Sequence, residues 1–260
     1  MQHKLGKRPA RPGAVKIKLA DYLDKDVLTA PTGDFGHDGL VQDWQMLGND
    51  TVGDCAIAGP LHAIMLWNAE ANKTVNVDTD CAITNYSAIT GYDPTQQQSD
   101  GSNPTDQGTD VAEMAEYWQQ TGFVDADGNR HQIGGYVALT PGDLTELWVA
   151  LKYFDGVGIG VQFPAQWMDA FQNGQPWDTV AQPNIQGGHY ICGVGRKDGN
   201  ATVVSWGKPV PLTVGGYQQF NDETLALIST EKMTNGVDLE GLNWAQLQAD
   251  IQQLNTGTAQ

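Results

Sequence analysis

Cys55 stands where a thiol can become a nucleophile. It follows the turn-rich stretch GNDTVGD and opens an apolar segment, CAIAGPLHAIMLWNAE, in which Ile57, Leu61, Ile64, Met65 and Asn68 recur at a spacing of about 3.6 residues. That spacing predicts a helix starting at Cys55, with Asp54 or Cys55 near the N-cap and Pro60 acceptable because it falls close to the start. The unpaired N–H groups and dipole of a helix N-terminus lower a thiol's pKa, and a neighbouring imidazolium lowers it further. The second group of interest is His189. It follows Gly187 and Gly188 at the head of the apolar run HYICGVGR, a strand from which an imidazole can project toward a helix end. Thiol and imidazole together are the pair that acyl transfer needs, one to attack and the other to carry the proton. The remaining histidines fit that role less well. His3 lies in a basic arm, His37 and His131 in polar loops, and His62 seven residues beyond Cys55, about 10 Å farther along the helix axis.

Helices and strands must bring these two residues together. Further helices are expected at 78–90, in DVAEMAEYWQQTG with Asp110 near its start and Gly122 past its end, in PGDLTELWVALKYFDG behind Pro141, Gly142 and Asp143, and in NWAQLQADIQQL. Residues 31–54 and GYDPTQQQSDGSNPTDQGT read as loops. Strands are expected in VGIGVQF, HYICGVGR and ATVVSWG, the last two joined by a Lys-Asp-Gly-Asn hairpin turn; FNDETLALIS reads as strand or helix. Helices come first and strands later, which argues for an α+β chain of two lobes and against a doubly wound sheet.

Charge narrows the choice of partners. Six of the 14 Lys and Arg residues fall within the first 18 residues, and no acid precedes Asp21, so eight basic residues face 31 acidic ones in the remainder. Such a body repels nucleic acid and anionic membranes. The arm 1–18 is expected to dock on an acidic surface, either its own body or that of a protein partner or second copy. No 18-residue apolar run and no apolar leader with a cleavage site is found, so a cytoplasmic or virion location without a signal peptide is expected. Cys55, Cys81 and Cys192 form neither a disulfide framework nor zinc spacing. The segment DADGN begins like a calcium loop but lacks its Gly and Glu, so it reads as a turn. No metal and no cofactor are called for.

In order along residues 40–230, three segments resemble the papain-like cysteine peptidases: LGNDTVGDCAIAG, DQGTDVAEMAEYWQQTGF, and VGIGVQFPAQWMDAFQNGQPWD continuing through GGHYICGVGRKDGNATVVSWGK. The Asp54-Cys55 pair is similar to the bacteriocin-processing branch, and the whole chain is similar to papain-like proteins of actinobacteria and their phages. The resemblance implies a two-lobed papain-like fold: a basic arm and lead-in at 1–30, then a domain at 31–260 with a helical lobe at about 31–140, a β-lobe at about 141–230 and a C-terminal helix at 238–255. It also implies peptide or protein substrates, with Cys55 as nucleophile and His189 as general base and then general acid. Asn49 would stand at the oxyanion position, Gly108 and Thr109 in the loop that holds a peptide backbone, and Trp206 as a shield over the pair. Two positions depart from the family. Asn49 replaces its Gln, and Val204 takes the place of the Asn that orients the histidine, so that counting from His189 without a gap puts Ser205 there instead. The implied activity is a weak or specialised peptidase; the alternative is a virion or other assembly protein that keeps the fold with little catalysis. With only about 50 residues ahead of Cys55, no inhibitory pro-segment is expected.

Overall fold

The computed structural model describes residues 3–154 and 156–255, so Met1 and Gln2 of the basic arm, Asp155 and the last five residues of the expected domain lie outside the described residues. The first half holds strand β1 (Phe35–Gly36) and helices α1 (Cys55–Glu70), α2 (Thr79–Thr90) and α3 (Val111–Gln120), then strands β2 (Phe123–Val124), β3 (Arg130–His131) and β4 (Ile133–Leu139). The second half holds α4 (Leu144–Tyr153), β5 (Gly156–Pro164), α5 (Ala165–Gln172), β6 (Ile185–Lys197), β7 (Asn200–Ser205), β8 (Lys208–Leu212), α6 (Val214–Phe220), β9 (Asn221–Ser229), α7 (Thr230–Asn235) and α8 (Trp244–Asn255). The α+β reading therefore stands, and FNDETLALIS resolves to the strand β9.

Local chemistry sets the element ends. Asp110 and Asp143 accept from the backbone N–H of Glu113 and Glu146, capping α3 and α4. The β6–β7 hairpin pairs Lys197 with Asn200 across Asp198 and Gly199, whose φ values of 51° and 80° give the doubly left-handed turn that an Asp-Gly pair favours. In DADGN, Asp125 accepts from the N–H groups of Asp127 and Asn129, making the expected turn between β2 and β3.

The main sheet runs β4-β9-β5-β6-β7-β8, with β1 added beside β6, and its pairings are antiparallel. Strand β8, which the sequence reading missed, carries Pro209 and Pro211 and closes one edge of the sheet; a missing N–H is tolerated there. Alternation along β6 divides the core. Tyr190, Cys192 and Val194 join α1, α2 and α3 in one apolar cluster, whereas Ile191 joins β5, β7, α4 and the aromatic residues Phe163, Trp167 and Trp177 in the other. Among the described residues no helix is long and apolar enough to cross a membrane.

Candidate active site

Helix α1 is buried on all sides from Cys55 to Leu66, so its start is clamped between the lobes. It can lie close to the sheet because two glycines make room for one ring. A Cβ on Gly59 would come within 2.6 Å of the Tyr190 ring, and one on Gly158 within 1.7 Å of the Tyr190 hydroxyl. This slot sets Cys55 against β6, where the Tyr190 N–H donates to Sγ at 3.4 Å. Asp54 occupies the N-cap position, but its side chain does not cap the helix. Both carboxylate oxygens are buried, and burial drives the acid well above its ordinary pKa. Asn49 is buried in the preceding loop and its amide donates to the Val52 carbonyl at 3.1 Å.

His189 precedes Tyr190 on β6 and is also buried. Its Nε2 lies 2.7 Å from Ser205 Oγ at the end of β7, and its Nδ1 has no hydrogen-bond partner among the described residues. Val204, at the position where the resemblance puts an Asn, faces the other core cluster. The imidazole stacks on Trp206, with centroids 4.3 Å apart and planes at 19°, and meets Phe163 and Trp177 edge-on. Thus Cys55 contacts the residue that follows His189 on β6, yet no hydrogen bond joins thiol and imidazole. Burial pushes the Cys55 thiol up to about 12, with the Tyr190 N–H opposing and Asp54 adding to the rise. Burial also lowers His189 to about 3, helped by His3. Both groups are therefore neutral in this arrangement. No three His, Cys, Asp or Glu side chains gather to hold a metal among the described residues.

Known structures share this architecture. Xylellain, a cysteine protease from Xylella fastidiosa, aligns with a TM-score of 0.57 at 12% identity over 88% of this chain and 98% of that one. A procathepsin B S9 from Trypanosoma congolense gives 0.56 at 9% identity, covering 86% of each chain. The fold is papain-like. The Carica candamarcensis cysteine protease CMS1MS2, solved in complex with E-64, gives 0.51 at 13% identity over 76% of this chain and 99% of that one. No protein-family model and no curated protein sequence matches the chain.

In this papain-like fold the chain's own N-terminal arm lies along the seam between the lobes. His3 stacks on Trp206 at 4.8 Å, and Trp206 Nε1 donates to the Lys4 carbonyl at 3.3 Å. The Lys4 N–H donates to Asn49 O at 3.1 Å. The Gly6 N–H helps to hold down the Cys55 pKa, while the Gly6 carbonyl accepts from the Thr109 N–H at 2.7 Å. The Lys7 N–H then donates to Gly188 O at 3.1 Å and the Arg8 N–H to Thr109 O at 2.9 Å. Lys7 is thereby parallel to Thr109 and antiparallel to Gly188. The fit depends on glycine at both surfaces: a Cβ on Gly6 would sit 1.7 Å from Gly53 O, and a Cβ on Gly108 would sit 2.3 Å from Gly6 O. Farther along, the Arg11 guanidinium forks onto Asp110, whose pKa ends below its ordinary value because this pairing outweighs burial.

Gly108, Thr109 and Trp206 thus all touch the arm, while Ser205 touches His189. Residue-by-residue reading missed Asp106, which accepts from the Gly53 N–H and from Tyr86 and so ties the 106–109 loop to the helix start. It also missed Gln162, Asp222 and Glu223, which gather around Lys7. The signal available for the last two was a pair of acids heading an otherwise apolar strand.

Proposed function

We propose that this chain is a cysteine peptidase held latent by its own arm. The reading rests on one observation: a cysteine at the N-terminus of a buried helix accepts from the strand N–H that follows a histidine whose Nε2 is held by Ser205, with Nδ1 unpartnered among the described residues. With Nε2–H donated to Ser205 Oγ, the Nδ1 lone pair takes the thiol proton. Sγ then bonds to a peptide carbonyl carbon, and the Cys55 N–H steadies the oxyanion. The imidazolium returns its proton to the leaving amine as the C–N bond breaks, and water releases the acyl group from sulfur. In the resting chain the Gly6 carbonyl is turned away to Thr109, so the arm blocks the groove without offering that carbonyl for attack. Departure of the arm readmits water, which lets the thiol pKa fall and the imidazole pKa rise together.

Alkylation tests this reading. Iodoacetamide or a peptidyl epoxide at pH 7 should label the parent chain slowly. It should label Gly6→Ala, whose added methyl collides with Gly53 O, far faster and selectively at Cys55. Labelling of Cys81 and Cys192 as readily as Cys55 in the open variant would exclude an activated thiol. The filled groove also favours a second reading, an assembly protein of virion type that keeps the fold without catalysis. A Cys55 that stays inert after the arm is displaced would support that second reading.

A further inference from the structure

We infer that Tyr86 and Asp106 are positioning residues for peptide attack: they hold the Gly108–Thr109 wall of the groove in place relative to Cys55. The inference rests on the peptidase reading and adds to it two residues that act through main chain and not by contact with the reacting atoms.

The wall itself is main chain. The docked arm shows what it offers a peptide, because the Thr109 N–H donates to the Gly6 carbonyl at 2.7 Å and the Thr109 carbonyl accepts from the Arg8 N–H at 2.9 Å. A substrate backbone lying there meets the same donor and acceptor. Thr109 stands near the end of the long connection between α2 and α3, so contacts made elsewhere must set its place relative to the sulfur.

One chain of hydrogen bonds sets it. The Gly53 N–H, two residues before Cys55, donates to the two Asp106 carboxylate oxygens at 3.2 and 3.1 Å. The Tyr86 hydroxyl donates to Asp106 Oδ1 at 2.7 Å and accepts from the Gly108 N–H at 2.9 Å. These links join the residue before Thr109 to the turn that opens α1, and they close across 22, 20 and 53 positions of sequence.

The phenol is a firm post. Tyr86 is fully buried on α2, and its ring lies against Tyr92 with centroids 4.9 Å apart. Burial, together with Asp106, pushes the hydroxyl well above its ordinary pKa, so its proton stays available to the carboxylate. A charged acceptor makes the bonds from Tyr86 and Gly53 stronger than neutral ones. Cys55, Cys81 and Cys192 are all free, so no disulfide shares the task. The join is also close: a Cβ on Gly53 would lie 2.9 Å from Asp106 Oδ1.

The same wall holds the arm and receives substrate, so loosening it has opposite effects on the two states. With the arm docked, a loose wall weakens the arm's hold and uncovers Cys55. With the arm displaced, a loose wall weakens the seating of a peptide without disarming the thiol. A general loss of stability lacks this contrast, because it uncovers Cys55 in both.

The test uses the full chain and two reagents: iodoacetamide, which needs no wall, and the fluoromethyl ketone of Ala-Ala-Gly, whose backbone does. In the Gly6→Ala background, Tyr86→Phe should lower the ratio of the peptidyl rate to the iodoacetamide rate about fivefold, the usual effect of losing one hydrogen bond. The loss should fall on the half-saturating probe concentration and not on the limiting rate. Asp106→Ala should lower the ratio at least as far, whereas Asp106→Asn, which keeps an oxygen for Tyr86, should hold most of it. Tyr86→Phe combined with Asp106→Ala should fall no further than Asp106→Ala alone. In the otherwise native chain, Tyr86→Phe should speed iodoacetamide labelling of Cys55 several-fold. A ratio unmoved by Tyr86→Phe and by Asp106→Ala, in chains whose Cys55 still takes iodoacetamide, would overturn the positioning role and leave the peptidase reading intact. A Cys55 inert to both reagents in the Gly6→Ala chain would overturn the peptidase reading and this inference with it.

Discussion

His189 takes its chemical role from its partners. Buried among Phe163, Trp177 and Trp206, it has one polar side-chain partner among the described residues, the Ser205 hydroxyl. On the peptidase reading proposed above, that bond selects which nitrogen is left for the thiol, much as a carboxylate does in catalytic triads, though a neutral hydroxyl supports an imidazolium less. Ser205→Ala removes the hold and strands a buried nitrogen, which should cost about 1–3 kcal/mol of stability in urea unfolding. In the arm-displaced Gly6→Ala background, the same change should slow Cys55 alkylation about tenfold or more as ring orientation is lost. An unchanged rate there would mean that Ser205 does not position the imidazole. Asn49 is a different case, because its amide is engaged with the Val52 carbonyl and so shapes the loop ahead of the helix.

Between elements, the contact of greatest consequence is the seat of α1 on β6. Tyr190 occupies a slot cut by Gly59 on the helix and Gly158 on β5, and that fit brings the helix start within reach of the Tyr190 N–H. Gly59→Ala puts a methyl 2.6 Å from the ring, so the helix must lift. The expected cost is about 1–3 kcal/mol, together with slower alkylation of Cys55 in the open background, both readable on one preparation. If stability falls and alkylation does not, the seating of the helix is independent of the nucleophile. The arm is a second element defined by close approach. Its backbone pairs with both walls of the groove, and glycines at 6, 53, 108 and 188 bring main chain against main chain; a Cβ on Gly188 would lie 2.4 Å from Lys7 O.

For the folded molecule, the buried titratable groups set a pH window. His62 and His189 fall to about 4 and about 3 from an ordinary 6.5, chiefly by burial. Below pH 6.5 the unfolded chain binds protons that the folded chain refuses, so stability falls as pH drops from 6.5 toward those values. Burial raises Cys55 and Cys192 to about 12 from 9.0, and here the folded chain keeps protons that the unfolded chain sheds. Stability therefore also falls as pH rises from 9.0 toward about 12. Each such group contributes at most about 1.4 kcal/mol per pH unit inside its window. Asp54, raised by burial, acts in the opposite sense and softens the acid limb. The urea midpoint should thus peak between pH 6.5 and 9.0, and Gly6→Ala should flatten both limbs by readmitting water to Cys55 and His189. A midpoint that keeps rising above pH 9.0 would contradict the burial of these thiols.

Much of this architecture could be read from the chain itself. The helix at Cys55 announced itself through apolar side chains spaced at about 3.6 residues, the β6–β7 hairpin through Asp198-Gly199, and the caps through Asp110 and Asp143. These are local preferences, satisfied by neighbours a few positions away, and so are visible in a linear string. The helix-to-strand order was enough for the fold class, and the three ordered segments pointed to a papain-like arrangement. The blocked groove and the buried Lys7 ion pairs were not visible in this way. Lys7 meets Asp222 and Glu223 across 215 and 216 positions, and only folding brings Gln162 to the same carboxylate. Six cations near the N-terminus say that a negative surface is wanted. Which surface answers depends on where main chains without Cβ atoms come close enough to pair, a matter of packed shape in three dimensions to which no short stretch of sequence is sensitive.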